Sequence, residues 1–177
     1  TLDGTEPTRD SLLVYVAPFV VSDNVIVTAK AFKDGYLPSF SSQQRLSFVN
    51  LKNAEFEELP TSPYDKNCKK ALDDGEIADP NDYYENWLGF RKNDVDVTIE
   101  LAKRTDINKM YIGFCHAPND WVFMPKEVNV YVSRNGKDFD KVESRLPFDP
   151  LSKEEKDRKS RVEVEVEVGK KAIQYIR

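Results

Sequence analysis

The chain has 177 residues, of which 40% are hydrophobic and 32% charged, so it is long enough for one large β domain or two small ones and for burial of about two thirds of its unfolded surface. Lys and Arg number 26 against 31 Asp and Glu, a net charge of -5, which argues against a nucleic-acid or anionic-lipid partner and favours a neutral or weakly polar ligand. No apolar run approaches the ~20 residues of a membrane span, no charged-then-apolar signal segment opens the chain, and two cysteines exclude a dense disulfide framework.

Residues 1–48 read as β throughout. Asp3-Gly4 forms a turn, Leu12 to Val21 is apolar and interrupted by Pro18, and Asn24 to Phe32 alternates in the period of a strand. Asp34-Gly35 is expected to close that hairpin and Ser41 to Val49 to form a further strand. From Asn50 to Lys70 the periodicity dissolves around Pro60 and Pro63, which predicts a linker over 50–70 between domains at 1–49 and 71–177.

Beyond it, Asp94 to Leu101 alternates, with Val95, Val97, Ile99 and Leu101 predicted inward, and Ile107 to Cys115 predicts the next strand. Asp120-Trp-Val-Phe-Met-Pro125 is an aromatic loop. It leads into a strand carrying Val128, Val130 and Val132 on one face and an Asn135-Gly136 hairpin turn, with Phe139 to Val142 pairing back. Residues 151–160 lack an apolar stripe and read as a short solvated helix or a loop. Arg161 to Val168 returns to strict period two, four valines in and three glutamates out, the acids keeping a β-prone strand soluble. Ala172 to Arg177 begins one more strand.

Two stretches carry a resemblance. TLDGTEPT, SLLVYVAPFVV and VIVTAKAFKDGYLPS, spread over some 40 residues, resemble the immunoglobulin-like C-terminal domain of chitobiase and β-N-acetylhexosaminidase type glycoside hydrolases. ALDDG, NWLGF, DVTIEL, INKMYIGF, WVFMPKEVNVYVSRNGKDF and AIQYIR resemble the discoidin-like, coagulation-factor type C domain appended to many such enzymes. The resemblance implies an all-β chain: a partial immunoglobulin-like sandwich, then a discoidin-like jelly-roll sandwich short of its closing strands. It further implies a non-catalytic, extracytoplasmic accessory fragment whose partner is a glycan or the parent enzyme's catalytic domain.

The residues agree that catalysis in this chain is not expected. His116 is the sole histidine and follows Cys115 on a predicted strand, where neighbours point to opposite faces. Paired acids cannot be placed from spacing alone, and no Gly-rich phosphate loop, His-Glu-x-x-His or Cys-x-x-Cys occurs. Cys68 and Cys115 are two free thiols or a single bridge. The resemblance implies a structural calcium ion in the loop that opens the second domain. Asp74 matches the family's Asp-Gly turn and Asp79 is a second carboxylate, although the insertion EIADPNDYYEN departs from the pattern and a solvated acidic turn fits as well. Sugars are recognised by aromatic faces and short polar side chains. That points to Tyr83, Tyr84 and Arg91 in one loop and Asn119, Asp120 and Trp121 in another, with Trp87 expected in the core and Trp121 either at the core edge or exposed as a platform.

Overall fold

The computed structural model describes residues 1–21, 23–46, 50–65, 71–72, 77–145 and 158–177. Among them the chain is all-β and divides into two compact units, Thr1–Val49 and Asn50–Arg177. The predicted helix or loop over 151–160 falls largely outside the described residues, as does Cys68; Cys115 is a buried free thiol.

The first unit holds one antiparallel pair, β1 (Val25–Ala29) with β2 (Ser42–Leu46), in register from Val25 opposite Leu46 to Ala29 opposite Ser42. Gly35 takes φ 79° in the turn between them, a left-handed conformation that glycine adopts without a Cβ clash. The Thr1 backbone and Gly4 reach the open edge of β1 through Thr28 and Ile26. The expected strand over Leu12 to Val21 does not form. Leu12 to Val16, Phe19 and Val20 lie on the surface, because Pro18 lacks a donor N–H and two short strands present too little apolar surface to cover them.

The second unit is a five-stranded antiparallel sheet in the order β3 (Leu51–Phe56), β4 (Val97–His116), β7 (Ser160–Ile176), β5 (Val128–Ser133) and β6 (Asp140–Arg145). The linker expected at 50–70 is corrected at its start, where Leu51–Phe56 pairs with Leu101–Val97 as a sheet edge; 57–65 form no strand and 66–70 lie outside the described residues. Its alternation is short, Leu51, Ala54 and Phe56 among charged residues, as befits an edge strand with one solvated face. Likewise the two strands expected at 94–101 and 107–115 are one. The join is visible as register shifts against β7, between Glu100 and Thr105 and again between Ile107 and Lys109, where β7 bulges through Gly169 at φ 78°. Val95, expected inward, precedes the strand and is exposed. The strand expected from Ala172 to Arg177 is a continuation of β7 beyond that bulge, ending at Ile176, rather than a new strand.

The sheet's core forms where its ends turn onto each other. β5 is hydrogen-bonded to β7 only at Val132–Ile176 and Ser133–Tyr175, yet Val130 shares a buried cluster with Val164 and Val166 ten or more residues back along β7. Contact without pairing means the β5–β6 hairpin lies face to face with the β4–β7 ribbon, which is the sandwich character of this unit. A second cluster joins Leu101, Val132, Val168 and Ile173, and Met110, Val142 and Ile176 pack against both. Arg177 then clips the layers: its backbone pairs with that of Tyr131 at 2.7 and 2.8 Å, and its guanidinium donates both prongs to Asp96 at 2.8 and 2.7 Å. The predicted Asn135-Gly136 turn is present. Asn135 Oδ1 accepts from the Lys137 and Asp138 amides, and Ser133 Oγ from those of Asn135 and Gly136. Among the described residues no helix is long and apolar enough to cross a membrane.

Candidate functional site

The register of β4 and β7 creates the site. His116 stands opposite Ser160, so the residues leaving β4, Ala117 to Asp120, emerge beside Lys159, which enters β7. Ala117 and Val122 pair with each other in both directions, at 2.9 and 3.1 Å, and pinch off the loop between them. Inside it Pro118–Asp120 makes one 3-10 turn, with the Asp120 amide bonded to Ala117 O and that of Trp121 to Pro118 O. Closing so short a loop puts Trp121 at φ 62°, a region that costs a non-glycine residue about 1–2 kcal/mol, and leaves the residue 85% exposed. The sequence left Trp121 open between core edge and platform; it is solvent-facing, edge-on to Phe123 with ring centroids 6.4 Å apart.

The second loop of the site is folded by its own polar groups. Asp79 Oδ1 accepts from the Asn81 amide and side chain, Asp79 O accepts from the Asp82 amide and from Trp87 Nε1, and Asp82 Oδ1 accepts from the Tyr84 amide. Trp87 thus braces this loop while half buried, a less interior place than the core position expected of it. Pro80 O lies 4.0 Å from the buried Cys115 sulfur, which ties the loop to the end of β4. Burial raises the Cys115 thiol, and a protonated thiol is a poor nucleophile.

These supports bring Tyr83 to Asp120. The tyrosine hydroxyl donates to Asp120 Oδ2 at 2.7 Å, Lys159 Nζ reaches the same oxygen at 2.7 Å, and that ammonium stands 4.5 Å from the Tyr83 ring centroid. The bonds from Lys159 and then Tyr83 hold the Asp120 carboxyl below its ordinary range, and Asp120 in turn raises Lys159. The Tyr83 hydroxyl is raised, chiefly by desolvation. Ala117, Pro118, Asn119, Asp120 and Lys159 line an open cavity of about 190 Å³.

The six residues picked from sequence therefore do not form one site. Asn119 and Asp120 line the cavity, Tyr83 reaches Asp120 from the facing loop, and Trp121 is the next residue along the chain. Tyr84 and Arg91 belong to a separate group built on Tyr64: Tyr84 stacks on the Tyr64 ring at 5.4 Å, and the Arg91 guanidinium is 5.4 Å from the Tyr64 centroid. Tyr64 is held there by backbone bonds from its amide to Thr61 O and from the Gly89 amide to its own carbonyl. Sequence reasoning missed both Lys159 and Tyr64. Lys159 ends a run of charges with no pattern to single it out, and Tyr64 lies in the stretch read as a linker. Among the described residues no three His, Cys, Asp or Glu side chains gather as a metal cage; Asp79 Oδ1 is taken by Asn81, and Asp74 lies outside the described residues.

Fold and site together define an all-β protein with a small polar cavity and an exposed indole at one end of its larger sheet. In comparison with known proteins, the chain matches no family model and no curated protein sequence.

Proposed function

We propose that the chain is a non-catalytic carbohydrate-binding accessory module of a secreted glycoside hydrolase of the β-hexosaminidase kind, holding the parent enzyme near glycan. The observation that carries this reading is Trp121, held in the left-handed region and exposed, one residue after a cavity lined by Asn119, Asp120 and Lys159. An indole face covers the apolar side of a pyranose while amide, carboxylate and ammonium groups meet its hydroxyls. A surface indole without such neighbours would carry no ligand preference. Isothermal calorimetry over a diverse glycan set is expected to give affinities in the high micromolar to millimolar range, about 4–6 kcal/mol, weakened by Trp121→Ala. A uniformly negative result across the set sinks the reading.

Structural calcium belongs to the same proposal, with Asp74 and Asp79 as carboxylate ligands. Calcium takes six to eight oxygens, so Asp79 alone does not suffice. Because an ion that binds only the folded state must stabilise it, calcium is expected to raise the melting temperature relative to chelator. Superimposable melting curves remove the ion from the proposal.

One observation favours a second reading, in which the chain braces a catalytic domain without binding sugar. Leu12, Leu13, Val14, Tyr15, Val16 and Val20 are exposed along a single short segment, a concentration that fits burial against a partner. Deleting this segment from the parent enzyme is then expected to lower its thermal stability, and an unchanged melting temperature counts against the brace.

A further inference from the structure

The cavity beside Lys159 has features that narrow the ligand class, an inference that rests on the carbohydrate reading above. At about 190 Å³ it is smaller than the roughly 300–1,000 Å³ pockets that hold drug-sized ligands, so it suits one ring. Its lining carries one carboxylate, one ammonium and one neutral amide, and the two charges cancel. Both the Tyr83 hydroxyl and the Lys159 ammonium converge on a single oxygen, Asp120 Oδ2. A carboxylate offers about four acceptor positions and an ammonium three donors, so each of these groups retains capacity after meeting the other.

We infer that the cavity selects a neutral pyranose through two adjacent ring hydroxyls, one donating to Asp120 and its neighbour accepting from Lys159. Adjacent hydroxyls present a donor and an acceptor side by side, which matches an ion pair whose members are 2.7 Å apart. A uronate would set a second carboxylate against Asp120, and an amino sugar a second ammonium against Lys159. Either charge would meet one like-charged wall and have to break the existing pair to gain the other, whereas a diol joins the pair without separating it. Lys159 is thus a specificity-determining residue supplied by the start of β7, and Tyr83 a positioning residue that fixes the Asp120 carboxylate from the facing loop.

The test is titration of the intact chain with methyl galactopyranoside, methyl glucopyranoside, the corresponding uronide and the 2-amino-2-deoxy glycoside, following the amide resonances of Ala117, Asn119, Asp120, Trp121 and Lys159 by NMR. At least one neutral glycoside is expected to shift those resonances, with the charged analogues at least tenfold weaker. Asp120→Asn and Lys159→Met should each weaken the neutral ligand at least tenfold, while Lys159→Arg, which preserves the ion pair, serves as a folding control by circular dichroism. A uronide or amino sugar that binds as tightly as its neutral parent overturns the diol assignment and leaves carbohydrate binding standing. Neutral-sugar binding that both variants retain also overturns it, by placing the sugar elsewhere. Should none of the four glycosides shift any resonance, the diol assignment falls, whereas the broader carbohydrate reading falls only with a negative glycan set.

Discussion

Asp120 accepts two short hydrogen bonds on one oxygen, from Tyr83 and Lys159. Its carboxyl is therefore held below the ordinary aspartate value of 3.8 by a partner that lies on a different element. A group whose folded pKa is depressed contributes stability that is present above its unfolded pKa and is lost as pH falls through the folded one. The Tyr83–Asp120–Lys159 contact should thus persist at neutral pH and fail in the acid range below 3.8, and because the group is exposed the contact should weaken with salt. Carboxyl NMR checks this: in Lys159→Met the Asp120 midpoint should rise toward 3.8, and an unmoved midpoint would show that the pair does not form in solution. Glycines make a second prediction at this scale. Gly136 and Gly169 both have positive φ, but a Cβ at Gly136 would stand 3.1 Å from the Tyr175 ring whereas one at Gly169 meets nothing within 4 Å. Alanine at either site incurs the left-handed penalty of roughly 1–2 kcal/mol. Gly136→Ala should cost more in urea unfolding; equal losses would mean that the ring yields freely.

The long strands set the behaviour of the elements. In β4 only Leu101, Cys115 and His116 are buried, and the stretch from Ala102 to Asp106 is exposed, so its stability is concentrated at two ends. Leu101→Ala, emptying a site 2% exposed between β3, β5 and β7, should cost roughly 2–5 kcal/mol. Val95→Ala, just before the strand, should stay within about 0.5 kcal/mol. Comparable losses at the two positions, read from urea midpoints, would contradict the boundary at Val97. Which of these elements the sequence disclosed follows from physics. The all-β class, the valine face of β5, the Asn135-Gly136 turn and the alternation of β7 were legible because period two and turn chemistry are local. That β4 is one strand, that Leu51–Phe56 is an edge of the same sheet, and that Val95 lies outside it depend on partners 41 or more residues away. The site was half legible for the same reason. Tyr83 and Asp120 carry suitable groups in recognisable loops, while Lys159 meets them only through the pairing of His116 with Ser160, and Tyr84 and Arg91 are drawn off by Tyr64.

At the scale of the molecule, the two units differ in what holds them. Among the described residues the buried hydrophobic side chains from Ala54 to Ile173 lie in Asn50–Arg177, whereas the first unit buries Pro7 and Thr28, and its β1 and β2 are joined by hydrogen bonds. A two-stranded pair is marginal on its own in water. Hydrogen–deuterium exchange should accordingly exchange peptides from 10–21 within the first time points and those from 160–176 last; matching protection in the two regions would refute the contrast. The order of strands in the larger sheet adds a consequence for biosynthesis. β7 lies in its middle, between β4 and β5, yet is made after every strand it joins. While a ribosome is still producing that stretch, β3–β4 and β5–β6 are separate hairpins, and one edge of a 20-residue strand has nothing to pair with. Closure requires contacts such as Tyr175 with Glu100, 75 residues apart, so folding is slow in the manner of non-local β topologies. A nascent chain arrested before Ser160 would present that open edge, the kind of unpaired strand that invites pairing with another chain until the sandwich has shut.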